Sequence, residues 1–236
     1  MNKNHRTEGS VTLLIAWFLV ACVLAACPGS ADTTTETHPL QIKEAPPFIS
    51  ICSHDKVLVR YRFADVPFKP YVDQLSSRDG VNILRDAPFD HLHHHALMLA
   101  ISIDGVNFWE ERTDPGIQAH RAIADHYTNL QTPGVSRAAF TTAIDWLEPK
   151  GEKVLLHEKR TIALAASTAI EPTLVTWESH LELPEGSPSA TLSGAHYHGL
   201  GMRFVQSMDA GGAFGTADKA EGRVVRGTER LTPSSW

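Results

Sequence analysis

The sequence predicts an all-β fold, an antiparallel β-sandwich, from three observations. Beyond residue 46 apolar side chains recur at every second position, and turn-forming residues interrupt that alternation at short intervals. No stretch after the first 27 residues repeats at helical spacing for long enough to predict a helix. About 190 residues remain after residue 45, which suits one domain with a sizeable core.

Residues 1–27 read as an export signal. Lys3 and Arg6 make a basic start, an uncharged stretch follows from Val11, and Leu24-Ala25-Ala26-Cys27 places small residues before a cysteine. That tetrapeptide resembles a bacterial lipobox, in which cleavage leaves Cys27 as a lipid-modified N-terminus. Leu19-Val20-Ala21-Cys22 fits the same pattern, but cleavage there would leave Val23 to Ala26 apolar at the new terminus, so Cys27 is the better candidate. An uncleaved membrane anchor is the alternative, and either places the domain outside the cytoplasm. Residues 28–45 then read as a polar, Thr/Pro-rich linker and 46–236 as the domain. With Cys22 removed and Cys27 lipidated, Cys52 has no partner for a disulfide; inside the apolar run Phe48 to Cys52 it reads as a small buried hydrophobe.

Lys56 to Phe63 puts Val57, Val59, Tyr61 and Phe63 on one face and Lys56, Arg60 and Arg62 on the other. The strand expected from Ala96 to Ile103 has bulky odd positions and mostly small even ones, as in the middle of a layered β structure. Its small face would leave space above the sheet, either a ligand-sized cleft or close packing, and His94 would point there if the alternation extends back to it. Phe140, Ile144 and Trp146 share a face of the next clear strand, and Glu148-Pro149-Lys150-Gly151 turns the chain back into Val154 to Leu164 as a hairpin. Val175, Trp177, Leu181 and Leu183 face away from Thr176, Glu178, His180 and Glu182 before Pro184 to Pro188 ends the pattern.

The functional signal is Asp90-His91-Leu92-His93-His94-His95, which gathers four of the 13 histidines within five positions. Imidazole suits both metal ligation and proton transfer near neutral pH. A solvated histidine-rich turn is the bland alternative. A second pair, His196 and His198, shares the two-residue spacing of His91 and His93, and on a strand such pairs project to one side. These four residues are the candidate ligands for a divalent zinc, copper or iron ion. The glutamate that follows a cupin histidine pair is missing from both places.

Other constellations are absent: no Gly-x-Ser-x-Gly elbow, no phosphate loop ending in Gly-Lys-Ser/Thr, no His-Glu-x-x-His. Gly199-Leu200-Gly201 begins like a dinucleotide fingerprint, but Phe204 stands where its third glycine belongs. The net charge is −6, and Lys3, Arg6 and Glu8 contribute +1 to it, so the part after Cys27 carries −7 and is a poor match for nucleic acid. The candidate catalytic residues are therefore His93, His94 and Asp90, with Arg203, His120 and Glu178 as substrate-binding candidates.

Several segments in order, Lys69-Pro70-Tyr71-Val72, Asp79-Gly80-Val81, Asp90 to Leu97, Asp104 to Trp109, Gly116 to His120 and Gly199 to Phe204, resemble the PmoA-like family of exported bacterial proteins. The resemblance spans roughly residues 56 to 236. It implies an arginine and a glycine in many members where His95 and Ala96 stand, and a family sequence that continues past the point matching Trp236. The family's name refers to methane oxygenase, yet after its leader this chain has no further segment that could cross a bilayer as a helix. The company such proteins keep implies polysaccharide-degrading systems, and a sandwich of the galactose-mutarotase-like supersandwich type fits the strand pattern.

The leading functional expectation is thus a lipid-anchored exported protein that processes a sugar or glycoside by histidine acid/base chemistry: mutarotation, epimerisation or elimination. One alternative is a histidine-ligated, metal-dependent oxidase or hydrolase. The other is a non-catalytic carbohydrate-binding surface protein, for whose aromatic stripe only Trp109, Trp146 and Trp177 are plausible material.

Overall fold

The computed structural model describes residues 39–132, 134–167, 173–195, 197–211, 214–215 and 221–222. Cys22, Cys27 and His196 lie outside these residues. Along the chain run β1 (Leu40–Ala45), β2 (Phe48–Ser53), β3 (Lys56–Arg62), β4 (Tyr71–Leu75), β5 (Leu97–Ala100), β6 (Ser102–Ile103) and β7 (Val106–Asn107). The long strands β8 (Ile117–Thr132), β9 (Val135–Leu147), β10 (Val154–Ser167) and β11 (Thr173–Glu182) follow, then β12 (Leu192–Ser193) and β13 (Gly199–Met202).

Two antiparallel sheets pack on each other as an all-β sandwich. One has the order β1-β2-β3-β4-β5-β13 and the other β11-β10-β9-β8; β12-β6-β7 form a small third sheet. The period-two faces are those of the sequence. Tyr61, Phe140, Ile144, Trp146, Val175, Trp177 and Leu181 are all buried, while Glu178 on the opposite face of β11 is exposed. Burial of side chains of this size contributes about 1.5–3 kcal/mol each.

Three local departures have physical reasons. Leu40–Ala45, inside the stretch read as linker, is a strand paired along its length with β2, because Leu40 is buried and Ile42 packs on the core. Leu58 is buried beside Val59, since the β2–β3 register skips a residue there and inserts Leu58 as a bulge. The strand expected from Ala96 to Ile103 is two: β5 stays in the six-stranded sheet, whereas β6 pairs with β7 and β12.

The sheets are tied by polar as well as apolar contacts. Tyr61 and Phe140 rings lie 5.6 Å apart across the core. Gln118 of β8 donates to the Leu99 carbonyl of β5 at 2.8 Å. Fully buried Arg160 of β10 donates to both Glu158 carboxylate oxygens, to Gln118 Oε1, to the Tyr61 hydroxyl and to the Pro70 carbonyl, all at 2.8–3.1 Å. Glu158 also accepts from Trp146 Nε1 and Ser179 Oγ. A buried charge pair with every donor used avoids the cost that an unpaired one carries.

Candidate functional site

The histidine run is a looped turn. The amide of His91 donates to the Pro88 carbonyl at 2.8 Å, that of His94 to the His91 carbonyl at 2.9 Å, and that of Ala87 to the His94 carbonyl at 3.0 Å. β5 begins only at Leu97. This corrects the strand alternation expected for His91, His93 and His94. In the turn the neighbours in space are His91 and His94, stacked with ring centroids 4.6 Å apart, and His93 lies edge-on to His94 at 4.5 Å. His91 and His93 are 6.0 Å apart and tilted. His198 likewise precedes β13 in a turn, its amide donating to the Ala195 carbonyl at 2.9 Å.

β5 and β13 pair antiparallel, so the start of one meets the end of the other, and the Arg203 amide donates to the Ala96 carbonyl at 2.6 Å. That junction shapes a cleft of about 170 Å³ lined chiefly by His94, His95, Met98, Trp109, Met202 and Arg203. Trp109 is its wall. Its indole crosses β13 at Gly201, where a β-carbon would come within 2.7 Å of Trp109 Cη2, so the missing side chain admits the ring. His94 meets the indole edge-on at 5.7 Å, and His198 stacks on it at 5.4 Å. The two histidine regions, far apart in sequence, thus meet on one tryptophan. Ala96, at φ +25°, stands in a conformation that glycine adopts freely.

Beneath the cleft runs a line of charge. His95 Nδ1 is 2.8 Å from Asp86 Oδ1 and its Nε2 is 3.1 Å from Glu111 Oε1. Tyr71 donates to Asp86 Oδ2 at 2.8 Å and stacks on the His95 ring at 4.5 Å, while the buried ammonium of Lys69 donates to Glu111. Burial works against the His95 charge, but the two carboxylates outweigh it and raise its pKa above the usual value. Burial opposes Asp86 and Glu111 as well; His95, with Tyr71 on one side and Lys69 on the other, nonetheless holds both below the ordinary carboxylate range. Burial lowers Lys69, against the attraction of Glu111. With both ring nitrogens held by carboxylates, the charged form of His95 is favoured and neither nitrogen is free to act as a base.

His94 differs. Burial, then the neighbouring His93, His91 and Arg203, push its pKa down to about 4, leaving a neutral imidazole at the cleft at pH 7. Burial also lowers His93, whose Nε2 lies 3.6 Å from Glu110 Oε2. Asp90 sits at the rim, 3.0 Å from His91 Nδ1 and 3.7 Å from Arg203 Nη2; the hydrogen bond from His91 first, and then the Arg203 guanidinium, hold it below the ordinary range.

The structure brings His91, His93, His94, Asp90, Arg203 and His198 around one place, but not His120 or Glu178. His120 packs its ring on Phe63 at 4.6 Å, and burial lowers its pKa. Neither residue lines the cleft. Among the described residues no three His, Cys, Asp or Glu side chains are arranged to hold a metal ion, so the ligand set His91, His93 and His198 does not assemble in them; His196 lies outside. Trp109, Trp146 and Trp177 are buried, so these three make no exposed aromatic stripe. Lys69, Tyr71, Asp86 and Glu111 carry no periodicity of their own, and no sequence pattern marks them as a cluster.

The family model described as "Family of unknown function (DUF6807)" matches residues 49–236. The chain belongs to this family. The match covers β3 to β13, most of β2 and every cleft residue, so the DUF6807 region contains the whole candidate site. No curated protein and no solved structure matches the chain significantly. Among the described residues of this DUF6807 member no helix is long and apolar enough to cross a membrane.

Proposed function

We propose that the protein processes a sugar or glycoside in the Trp109 cleft, with His94 as the group that takes and returns the proton. The observation that carries this reading is a neutral imidazole, an indole and a guanidinium lining one cleft of about 170 Å³. The accessible edge of the indole, with Met98 and Met202, gives the cleft an apolar side for the C–H groups of a sugar ring. Arg203 supplies donors for ring substituents. His94 can accept a proton from a hydroxyl or from a carbon next to a carbonyl, and so serve mutarotation, epimerisation or elimination. His93, edge-on to His94 and close to Glu110, positions it and contributes to its low pKa; Asp90 at the rim faces Arg203.

The test is turnover. Proton NMR of sugars and glycosides in deuterated buffer, with and without the full chain, reads anomer exchange, exchange at carbon and formation of unsaturated products. His94→Ala is expected to lower the observed rate about 10²–10⁴-fold. The rate should rise as pH climbs through about 4, where His94 loses its proton, and stay level above. Full activity in His94→Ala, or an acid limb near pH 6.5, would rule His94 out as the base.

The same reading places the domain outside the cytoplasm, tethered by lipid at Cys27; the basic and apolar leader and the resemblance to exported PmoA-like proteins support it. Cys27→Ser should abolish incorporation of labelled fatty acid and Cys22→Ser should not. Label retained in the Cys27 variant would refute the lipobox assignment.

A further inference from the structure

We infer that the cleft is built for an acidic sugar: a monosaccharide unit carrying a carboxylate, as in a uronic acid, seated with that carboxylate on the Arg203 guanidinium. The inference rests on the sugar reading above and adds the charge of the substrate.

The arginines of the protein are spent in different ways. Arg160 uses all its donors in the core, Arg60 forms a two-pronged pair with Asp73 at 2.9 and 3.0 Å, and Arg85 pairs with Asp209 at 3.1 and 3.4 Å. Arg203, which lines the cleft, makes no such bond. Its Nε, like those of Arg62 and Arg85, is buried without a hydrogen-bond partner, but unlike Arg85 it has no close carboxylate: the half-exposed Asp90 stays 3.7 Å away. The Arg203 side chain is 29 % exposed and lines the cleft, so its terminal nitrogens are open to a ligand there.

No residue lining the cleft is acidic, while the Arg203 guanidinium is positive there and the carboxylates beside His95 favour its charged form. Asp86 and Glu111, which balance His95, are not among the lining residues. A neutral sugar would leave the Arg203 donors to hydroxyls alone; a carboxylate matches two of them at once, with charge to strengthen the bonds. The rest of the lining, Trp109 with Met98 and Met202, suits an apolar ring face and not a bare inorganic anion.

Arg203 is fixed by backbone bonds on both sides of its peptide, its amide to the Ala96 carbonyl at 2.6 Å and its carbonyl from the Arg85 amide at 2.9 Å. A guanidinium whose backbone is already fixed loses less entropy on binding.

Calorimetric titration of the full chain with D-glucuronate and D-galacturonate against D-glucose and D-galactose, with inorganic phosphate as competitor, tests the assignment. The acids should bind about tenfold or more tightly than the neutral sugars. Arg203→Gln should close most of that gap, and Arg203→Lys, which keeps the charge but not the fork, part of it; the melting temperature of each variant shows whether it is folded. Equal binding of acid and neutral sugars overturns the carboxylate assignment and leaves the sugar reading standing. Phosphate displacing the acids at equal concentration also overturns it, since the site would then take any anion. Binding of none of the four sugars overturns both.

Discussion

At the scale of single residues, His94 and His95 are adjacent in sequence and opposite in chemistry. His94 is buried beside two other imidazoles and the Arg203 guanidinium, so its neutral form is favoured; His95 lies between two carboxylates, so its charged form is. The difference makes a prediction about stability. His95 has its folded pKa raised above the usual 6.5, so its contribution is complete below 6.5 and fades as pH rises through the folded value. Asp86 and Glu111 are lowered from 3.8 and 4.5, so theirs is complete above those values and fades as pH falls through the lower folded ones. The cluster is therefore at full strength between about pH 4.5 and 6.5. The loss of melting temperature in His95→Gln should be largest in that window and shrink on both sides. A difference that keeps growing above pH 8 would show that His95 is not the cation between these carboxylates. The sequence could point to the histidine run because imidazoles so close together are conspicuous. It could not separate the roles, because Asp86 and Glu111 reach His95 from nine residues before it and 16 after.

At the scale of elements, strand faces were legible and strand ends were not. Alternation places Tyr61, Trp146 and Trp177 inward because a strand has only two faces, and burial of either decides the pattern. The same rule carried into the histidine runs fails, since the hydrogen bonds of His91, His94 and His198 close turns there. Gly201 is the element-scale feature on which the site depends. Its partner on β5 is Met98, and its bare backbone is where Trp109 lies. Gly201→Ala would push the indole away and is expected to cost about 1–3 kcal/mol. In a Trp109→Phe background, where the outer edge of the ring is gone, the cost should fall, as a double-mutant cycle on melting temperatures would show. An unchanged cost would mean that Gly201 serves the strand and not the tryptophan.

At the scale of the whole molecule, the two sheets are tied at the core by Arg160, one half of a buried charge pair that no reading of alternation would favour. Glu158 and Arg160 stand two residues apart on β10, on the face that also buries Ile162 and Leu164. Charges at such positions look like the solvent side of a strand, so alternation alone does not mark them as buried. Arg160 reaches across to Tyr61 of β3 and to the Pro70 carbonyl next to β4, and through Gln118 it connects to Leu99 of β5, the strand that follows the cleft loop. Cutting this tie leaves the Glu158 carboxylate buried without its cation. Arg160→Met is therefore expected to destabilise the protein by about 3–5 kcal/mol. Replacing both partners, Arg160→Met with Glu158→Leu, removes the orphaned charge and should recover much of that loss, although Trp146 and Ser179 then lose their acceptor. Denaturant unfolding of the parent, the single and the double variant decides it. A single variant as stable as the parent would show that the sheets are held by apolar packing alone, and a double variant weaker than the single would show that Glu158 matters chiefly as the acceptor for Trp146 and Ser179.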